Sequence, residues 1–192
     1  GGVGPNPYRP EKTREKVRRI HEEGGQACPH LDTAGYNWGH GFRQAVAPEL
    51  ASGGMRGRPF GRSRIDFGVW CHYRWKEKFG IDGVYYDTGH FFPNYNTVSG
   101  TAYRLNDGRI QPGWTVFGQR EYFKRSAIMF GDLGEGCWSY GNIFCGPQIS
   151  GWQYAVTDFE SSIGLGTDWF EDSFAMNRVM GHPGKWGVIR LW

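Results

Sequence analysis

The stretch Ile81-Asp82-Gly83-Val84-Tyr85-Tyr86-Asp87-Thr88-Gly89 decides the fold. It follows a helical pattern at once and reads as a short buried β-strand that ends in a carboxylate. Side chains alternate along a strand, so Tyr85 and Asp87 share one face while Val84 and Tyr86 share the other. In a (β/α) barrel the chemistry sits at the carboxyl ends of parallel strands, and Asp87 falls at such an end. Tyr85, Tyr86, His90, Phe91, Phe92 and Tyr95 crowd the same stretch. Aromatic faces beside an acid suit a cleft that handles sugars.

Working outward, Asp66 is placed to cap a helix over 67–79, and Gly80 to end it. Upstream, residues 10–23 form a helical pattern with Pro near the start and Gly24-Gly25 at the end. Residues 26–32 read as a strand, and 33–64 as a long loop rich in Gly and Pro. Downstream, a second long loop runs from 88 to about 115. A helix over 119–130 follows, with Tyr122, Phe123, Ile128 and Met129 available to pack. Residues 137–144 and 152–157 read as strands. Thr167 is placed to cap a helix over 168–180, closed by Gly181, and 186–192 is a last strand pattern. No internal repeat is visible.

Strands alternating with helices predict βαβ units and a parallel sheet. Long loops after strands, with short turns before them, are the asymmetry of a (β/α) barrel. A complete eight-fold barrel takes about 250 residues. The expected fold is therefore α/β: an incomplete (β/α) TIM-type barrel, with residues 1–192 a single segment of a larger protein. A compact open α/β sheet is the alternative.

Composition narrows the class. The 192 residues include nine Trp, 17% aromatics and 31 Gly, which suits a folded, loop-rich domain and argues against disorder. The formal net charge is only +3, with Lys and Arg interleaved among Asp and Glu, so nucleic-acid binding is disfavoured. No apolar run reaches the length of a membrane span. The chain opens Gly-Gly-Val-Gly-Pro, without Met or a signal-peptide pattern, as a mature, trimmed or partial chain does. Cysteines stand at 28, 71, 137 and 145, with no Cys-x-x-Cys. Cys71 is expected as a buried helix thiol. Cys137 and Cys145 flank a short aromatic segment, as a local disulfide in an exported protein or as two thiols.

The order of these motifs resembles a known group. A helix leads into Gly80-Ile81-Asp82-Gly83-Val84-Tyr85-Tyr86-Asp87, then a long loop, then a helix carrying Gln119, Arg120, Glu121, Lys124 and Arg125. Asp158-Phe159-Glu160 follows a strand, and Asn177-Arg178 precedes a Gly-rich turn. From residue 26 to the end, this pattern resembles glycoside-hydrolase-like (β/α)8 proteins. More distantly it is similar to retaining α-glycosidase barrels. The resemblance implies a nucleophilic Asp at a strand end and an acid/base carboxylate from a later strand. The chain departs from a full member in lacking the first strands, the closing strands and a β-sandwich flank.

Glycosidic cleavage needs two carboxyl groups flanking the bond. Asp87 is the expected nucleophile; the plain alternative is a cap of the following turn. Asp158 and Glu160 lie one pleat repeat apart. Glu160 is the expected acid/base and Asp158 orients a hydroxyl; the alternative for both is a solvated loop acid. His30 and Asp32 share a face and are expected, with Tyr85, to bind sugar hydroxyls. Cys28, His30 and Asp32 lack a completing cluster for a metal, and no metal or cofactor is expected. Trp38 and His40, beside Tyr36, are stacking candidates in a loop, as are His90, Trp114 and Trp152, or else they anchor loops to the core. Glu121 and Arg125 have the spacing of a helix ion pair. The arginines of 55–64 suit RNA, an anionic polysaccharide or a solvated loop. Gly164-Leu165-Gly166 is too short for a nucleotide fingerprint.

The expectation is a carbohydrate-active protein that hydrolyses a glycosidic bond through Asp87 and Glu160. Its partners are a carbohydrate substrate and the remaining barrel segments or another chain, and its place is outside the cytoplasm. The rivals are a non-catalytic carbohydrate-binding or structural protein on a decayed barrel, and an RNA-binding protein.

Overall fold

The computed structural model describes residues 7, 9–32, 47–50, 60–87, 93–134, 136–142, 152 and 154–157. Helix α1 (Pro10–Glu22) starts on a proline, whose missing N–H is one that a helix start leaves unbonded anyway. It ends at Gly24, whose φ of 75° is left-handed. Then come β1 (His30–Asp32), the short α2 (Ala47–Leu50), α3 (Arg62–Phe79) and β2 (Tyr85–Asp87). Helix α3 begins five residues before the expected 67. Gly61 is its N-cap, and Asp66 lies inside the helix, paired with Arg62 at 3.7 Å and Arg125 at 2.5 Å. Gly80 closes it as expected, at φ 71°, with its N–H donating to the Lys76 carbonyl.

The long loop after β2 carries local order. Strands β3 (Pro93–Asn94), β4 (Tyr103–Arg104), β5 (Ile110–Gln111) and β6 (Gly113–Trp114) form two short antiparallel ribbons, β3 with β6 and β4 with β5. Helix α4 (Val116–Asp132), β7 (Tyr140–Asn142) and β8 (Ala155–Thr157) complete the described chain. On α4, Glu121 pairs with Lys124 at 2.7 Å, while Arg125 reaches across to Asp66 on α3. The expected Glu121–Arg125 pair is thus replaced by one that ties the two helices.

Four strands form one sheet in the order β1-β2-β7-β8, every neighbouring pair parallel. His30, Tyr85, Tyr140 and Ala155 stand side by side in register. The ladder reaches below the formal strands: Asp82 N–H donates to Ala27, Tyr85 N–H to Pro29, and Tyr140 N–H to Val84. Helix α3 lies between β1 and β2 in the chain and α4 between β2 and β7, as βαβ units require. The two helices pack on each other and cover the face that bears Val84 and Tyr86, both fully buried with Phe123 and Phe130. Cys71 is buried in this core, as expected. Sequential parallel order is common to a barrel and an open sheet; the expected helix 168–180 and strand 186–192 lie outside the described residues. No helix among the described residues is long and apolar enough to cross a membrane.

Strand β2 approaches the lead-in to β7 closely at Gly83. A Cβ there would lie 2.5 Å from the Ser139 nitrogen and 2.6 Å from the Trp138 carbonyl carbon. Both are backbone atoms, so the strands would have to part. Gly83→Ala is expected to lower unfolding free energy by about 1–3 kcal/mol in urea titration. Gly131→Ala, where a Cβ meets nothing within 4 Å, serves as the control and is expected to stabilise α4 slightly.

Candidate active site at the carboxyl edge of the sheet

The register determines what meets at the top of the sheet. Asp32 is the partner of Asp87, and Asn142 is the partner of Thr157. The Tyr86–Gly141 pairing sets the two pairs side by side. The carboxyl edge therefore reads Asp32, Asp87, Asn142, Thr157 across four adjacent strands. Two residues below this row, His30, Tyr85 and Tyr140 stand in register, on the face opposite the helix-covered Val84 and Tyr86.

One pleat below this row, the His30 and Tyr85 rings lie 5.1 Å apart, tilted by 33°. Tyr140 meets Tyr154 edge-on at 5.9 Å, and Trp138 meets the same ring at 4.5 Å. A groove of about 890 Å³ runs between α1 and the β1 side of the sheet, and His30, Tyr85 and Tyr140 reach it. Burial pushes the Cys28 thiol up to about 12, with Asp82 and Cys137 adding to the shift. It stays protonated at neutral pH, its Sγ donating to the Trp138 carbonyl at 3.3 Å. Among the described residues no group of three or more His, Cys, Asp or Glu is placed to hold a metal ion. Cys137 is a free thiol that donates to Ser139 Oγ at 3.2 Å, so the thiol alternative applies to it; Cys145 lies outside the described residues.

The expected site residues divide into four groups. Asp32 pairs in register with Asp87, and His30 with Tyr85, on the neighbouring strands β1 and β2. Trp152 is half-buried against the hydrophobic core, with the Arg120 guanidinium 5.8 Å from its ring, as the loop-anchor alternative described. Trp114 is 63% exposed on β6. Trp38, His40, His90, Asp158 and Glu160 lie outside the described residues, as does the arginine cluster up to residue 59.

Two polar centres escaped the sequence reading. At the amino end of the sheet, Asp82 accepts hydrogen bonds from Ala27 N–H at 2.8 Å and from His21 Nε2 at 2.7 Å. Lys76 Nζ stands 3.6 Å from its other oxygen. One carboxylate so ties α1, α3 and the start of β1. Asp82→Asn is expected to remove about 1–3 kcal/mol of stability, measured by chemical denaturation, with binding at the opposite edge unchanged. A stability equal to wild type would relegate this cluster to a surface contact.

The second centre is His72, buried between α3 and α4. Its Nδ1 lies 3.0 Å from Ser126 Oγ and its Nε2 lies 3.1 Å from Tyr122 Oη. A neutral ring donates from one nitrogen and accepts at the other, and both hydroxyls can match either arrangement. Burial lowers its pKa to about 3. The signal was present in the helix period: positions 65, 68, 72, 75 and 79 form one stripe, with His72 at its centre.

No protein-family model matches the chain, and no curated protein matches it.

Proposed function

We propose that the chain is a segment of a (β/α) barrel of the glycoside-hydrolase type, with Asp87 as the nucleophile on a glycosidic bond. The observation that carries this reading is the register: a second carboxylate residue, Asp32, stands beside Asp87 at the carboxyl edge of neighbouring parallel strands. That edge is where barrel enzymes hold their reacting groups. The Asp87 carboxylate attacks the anomeric carbon while a protonated carboxyl group gives its proton to the leaving oxygen. Water, deprotonated by the same acid/base, then releases the sugar and restores Asp87.

Glu160 is the proposed acid/base, three positions beyond the end of β8, with Asp158 orienting a hydroxyl. The register favours a second assignment of that role, to Asp32. A carboxyl group beside an ionised carboxylate has its pKa raised, as a general acid needs. His30 and Tyr85 supply an aromatic floor beneath the pair. The test is hydrolysis of a panel of activated aryl glycosides by the wild type and by Asp87→Asn, Glu160→Gln and Asp32→Asn. Of the last two variants, the acid/base is the one whose loss hurts least on substrates with the best leaving groups. Sugar binding without hydrolysis by the wild type across the panel would favour a carbohydrate-binding protein on the same scaffold.

A further inference from the structure

We infer that the substrate is an acidic glycan: the groove between α1 and β1 takes a sugar unit bearing a carboxylate or a sulfate ester, held by Lys12 and Lys16. The inference rests on the proposed function and names the class of glycan which that reading leaves open.

Three observations point there. The first is position. His30, Tyr85 and Tyr140 line the groove, and each stands two residues before a member of the row Asp32, Asp87, Asn142. That offset is about 6.6 Å along the strands. A glycan cleaved at Asp87 therefore has a neighbouring unit within reach of the groove. The groove's volume of about 890 Å³ falls within the roughly 300–1,000 Å³ of small-molecule sites.

The second is the lining. Val17, Ile20 and Trp75 give the groove an apolar wall, and the His30 and Tyr85 rings, 5.1 Å apart, give it an aromatic one. Thr13 and Gln26 add polar groups. The Thr13 hydroxyl donates to the Arg9 carbonyl at 3.1 Å and keeps lone pairs with which to accept. A bare ion leaves the apolar and aromatic walls unused. An alkyl chain covers the polar groups without pairing them, which costs free energy. A sugar ring suits both, with its C–H face on the rings and its hydroxyls on the polar groups.

The third is charge. Arg9, Lys12 and Lys16 line the groove, and no Asp or Glu is among its described lining residues. Elsewhere on α1 the charges are matched: Glu11 pairs with Arg14, Glu15 and Glu22 with Arg18, and Glu23 with Arg19. Lys12 and Lys16 stand at i,i+4, a like-charge spacing that disfavours the helix, and among the described residues neither has an ion-pair partner. Two ammonium groups one helical turn apart can converge on a single anionic substituent, and its arrival relieves their repulsion.

The test measures binding of matched oligosaccharides to the full 192-residue chain by calorimetry and amide resonance shifts. Oligogalacturonides and hyaluronan oligosaccharides are each compared with their methyl esters, and carrageenan oligosaccharides with their desulfated form. At least one acidic member is expected to bind about tenfold tighter than its neutral counterpart, to shift the Thr13 and Cys28 amides, and to lose that advantage in high salt. Which arm responds separates a carboxylate from a sulfate ester. Lys12→Gln/Lys16→Gln, on an exposed helix face, should keep its circular dichroism and lose the preference, while Lys12→Arg/Lys16→Arg should retain it. No preference in any arm overturns the inference, as does a preference that survives Lys12→Gln/Lys16→Gln. Equal binding of an oligoglutamate, or of dodecanoate, also overturns it, since the groove then reads charge or a chain without a sugar. Hydrolysis of neutral aryl glycosides with no acidic preference sinks this inference and leaves the proposed function standing. Lysine-dependent binding of acidic glycans, with no aryl glycoside hydrolysed, does the reverse.

Discussion

Asp87→Asn is expected to lower aryl-glycoside turnover roughly 10³-fold or more while folding and sugar binding stay close to wild type. The amide keeps the shape of the carboxylate. It removes the charge that stabilises an oxocarbenium-like transition state and the anionic nucleophile that forms the covalent intermediate. The main-chain pairing of β2 with β1 and β7 does not change with the substitution. Unchanged turnover in Asp87→Asn would remove Asp87 from the mechanism. Equal losses in Asp87→Asn and Asp32→Asn on substrates that need no protonation would instead show two carboxylates acting on the sugar itself.

The protein is expected to lose stability steeply in acid through His72. Its pKa is lowered to about 3 in the folded state by burial, against an ordinary value of 6.5. Above pH 6.5 the ring is neutral whether the chain is folded or not, and the full stability is present. As pH falls below 6.5 the unfolded chain takes up a proton that the folded chain refuses. Unfolding free energy then drops by about 1.4 kcal/mol per pH unit, until the folded ring itself protonates near pH 3. The groups around the ring are Ser126, Tyr122, Tyr86 and Phe130, none of them acidic enough to offset the charge. Urea titrations between pH 7 and 4 should show this slope, and His72→Gln should be flatter by one proton, whatever its absolute stability. Imidazole proton resonances of His72 should not titrate over the same range. A normal titration midpoint near 6.5 would mean that α3 and α4 admit water at this site.

Much of the scaffold was legible in the sequence because its signals are local. Pro10, Gly24 and Gly80 mark helix ends through their own backbone preferences, and all three do so in the structure. The face of Val84 and Tyr86 followed from strand alternation alone. The start of α3 was misread because an acidic residue before an apolar run looks like a cap. Asp66 serves Arg125, fifty-nine residues away, which no local pattern reveals. Asp82 belongs to the same class: its partners His21, Ala27 and Lys76 come from three separate segments.

The candidate site shows the same division. Asp87 was recognisable as a strand-end carboxylate from the residues around it. Asp32 was read as a hydroxyl-binding residue on a separate strand, with nothing to join it to Asp87. Strand direction and register make them neighbours, and those depend on how β1 and β2 hydrogen-bond across the intervening helix. Periodicity and capping act within a few residues, so the chain by itself determined where helices and strands form and which faces they bury. Pairing, parallel order and the row Asp32, Asp87, Asn142, Thr157 join residues up to 125 positions apart (32 to 157). Only the packed sheet could decide them, because a one-residue slip in register would move each side chain to the opposite face.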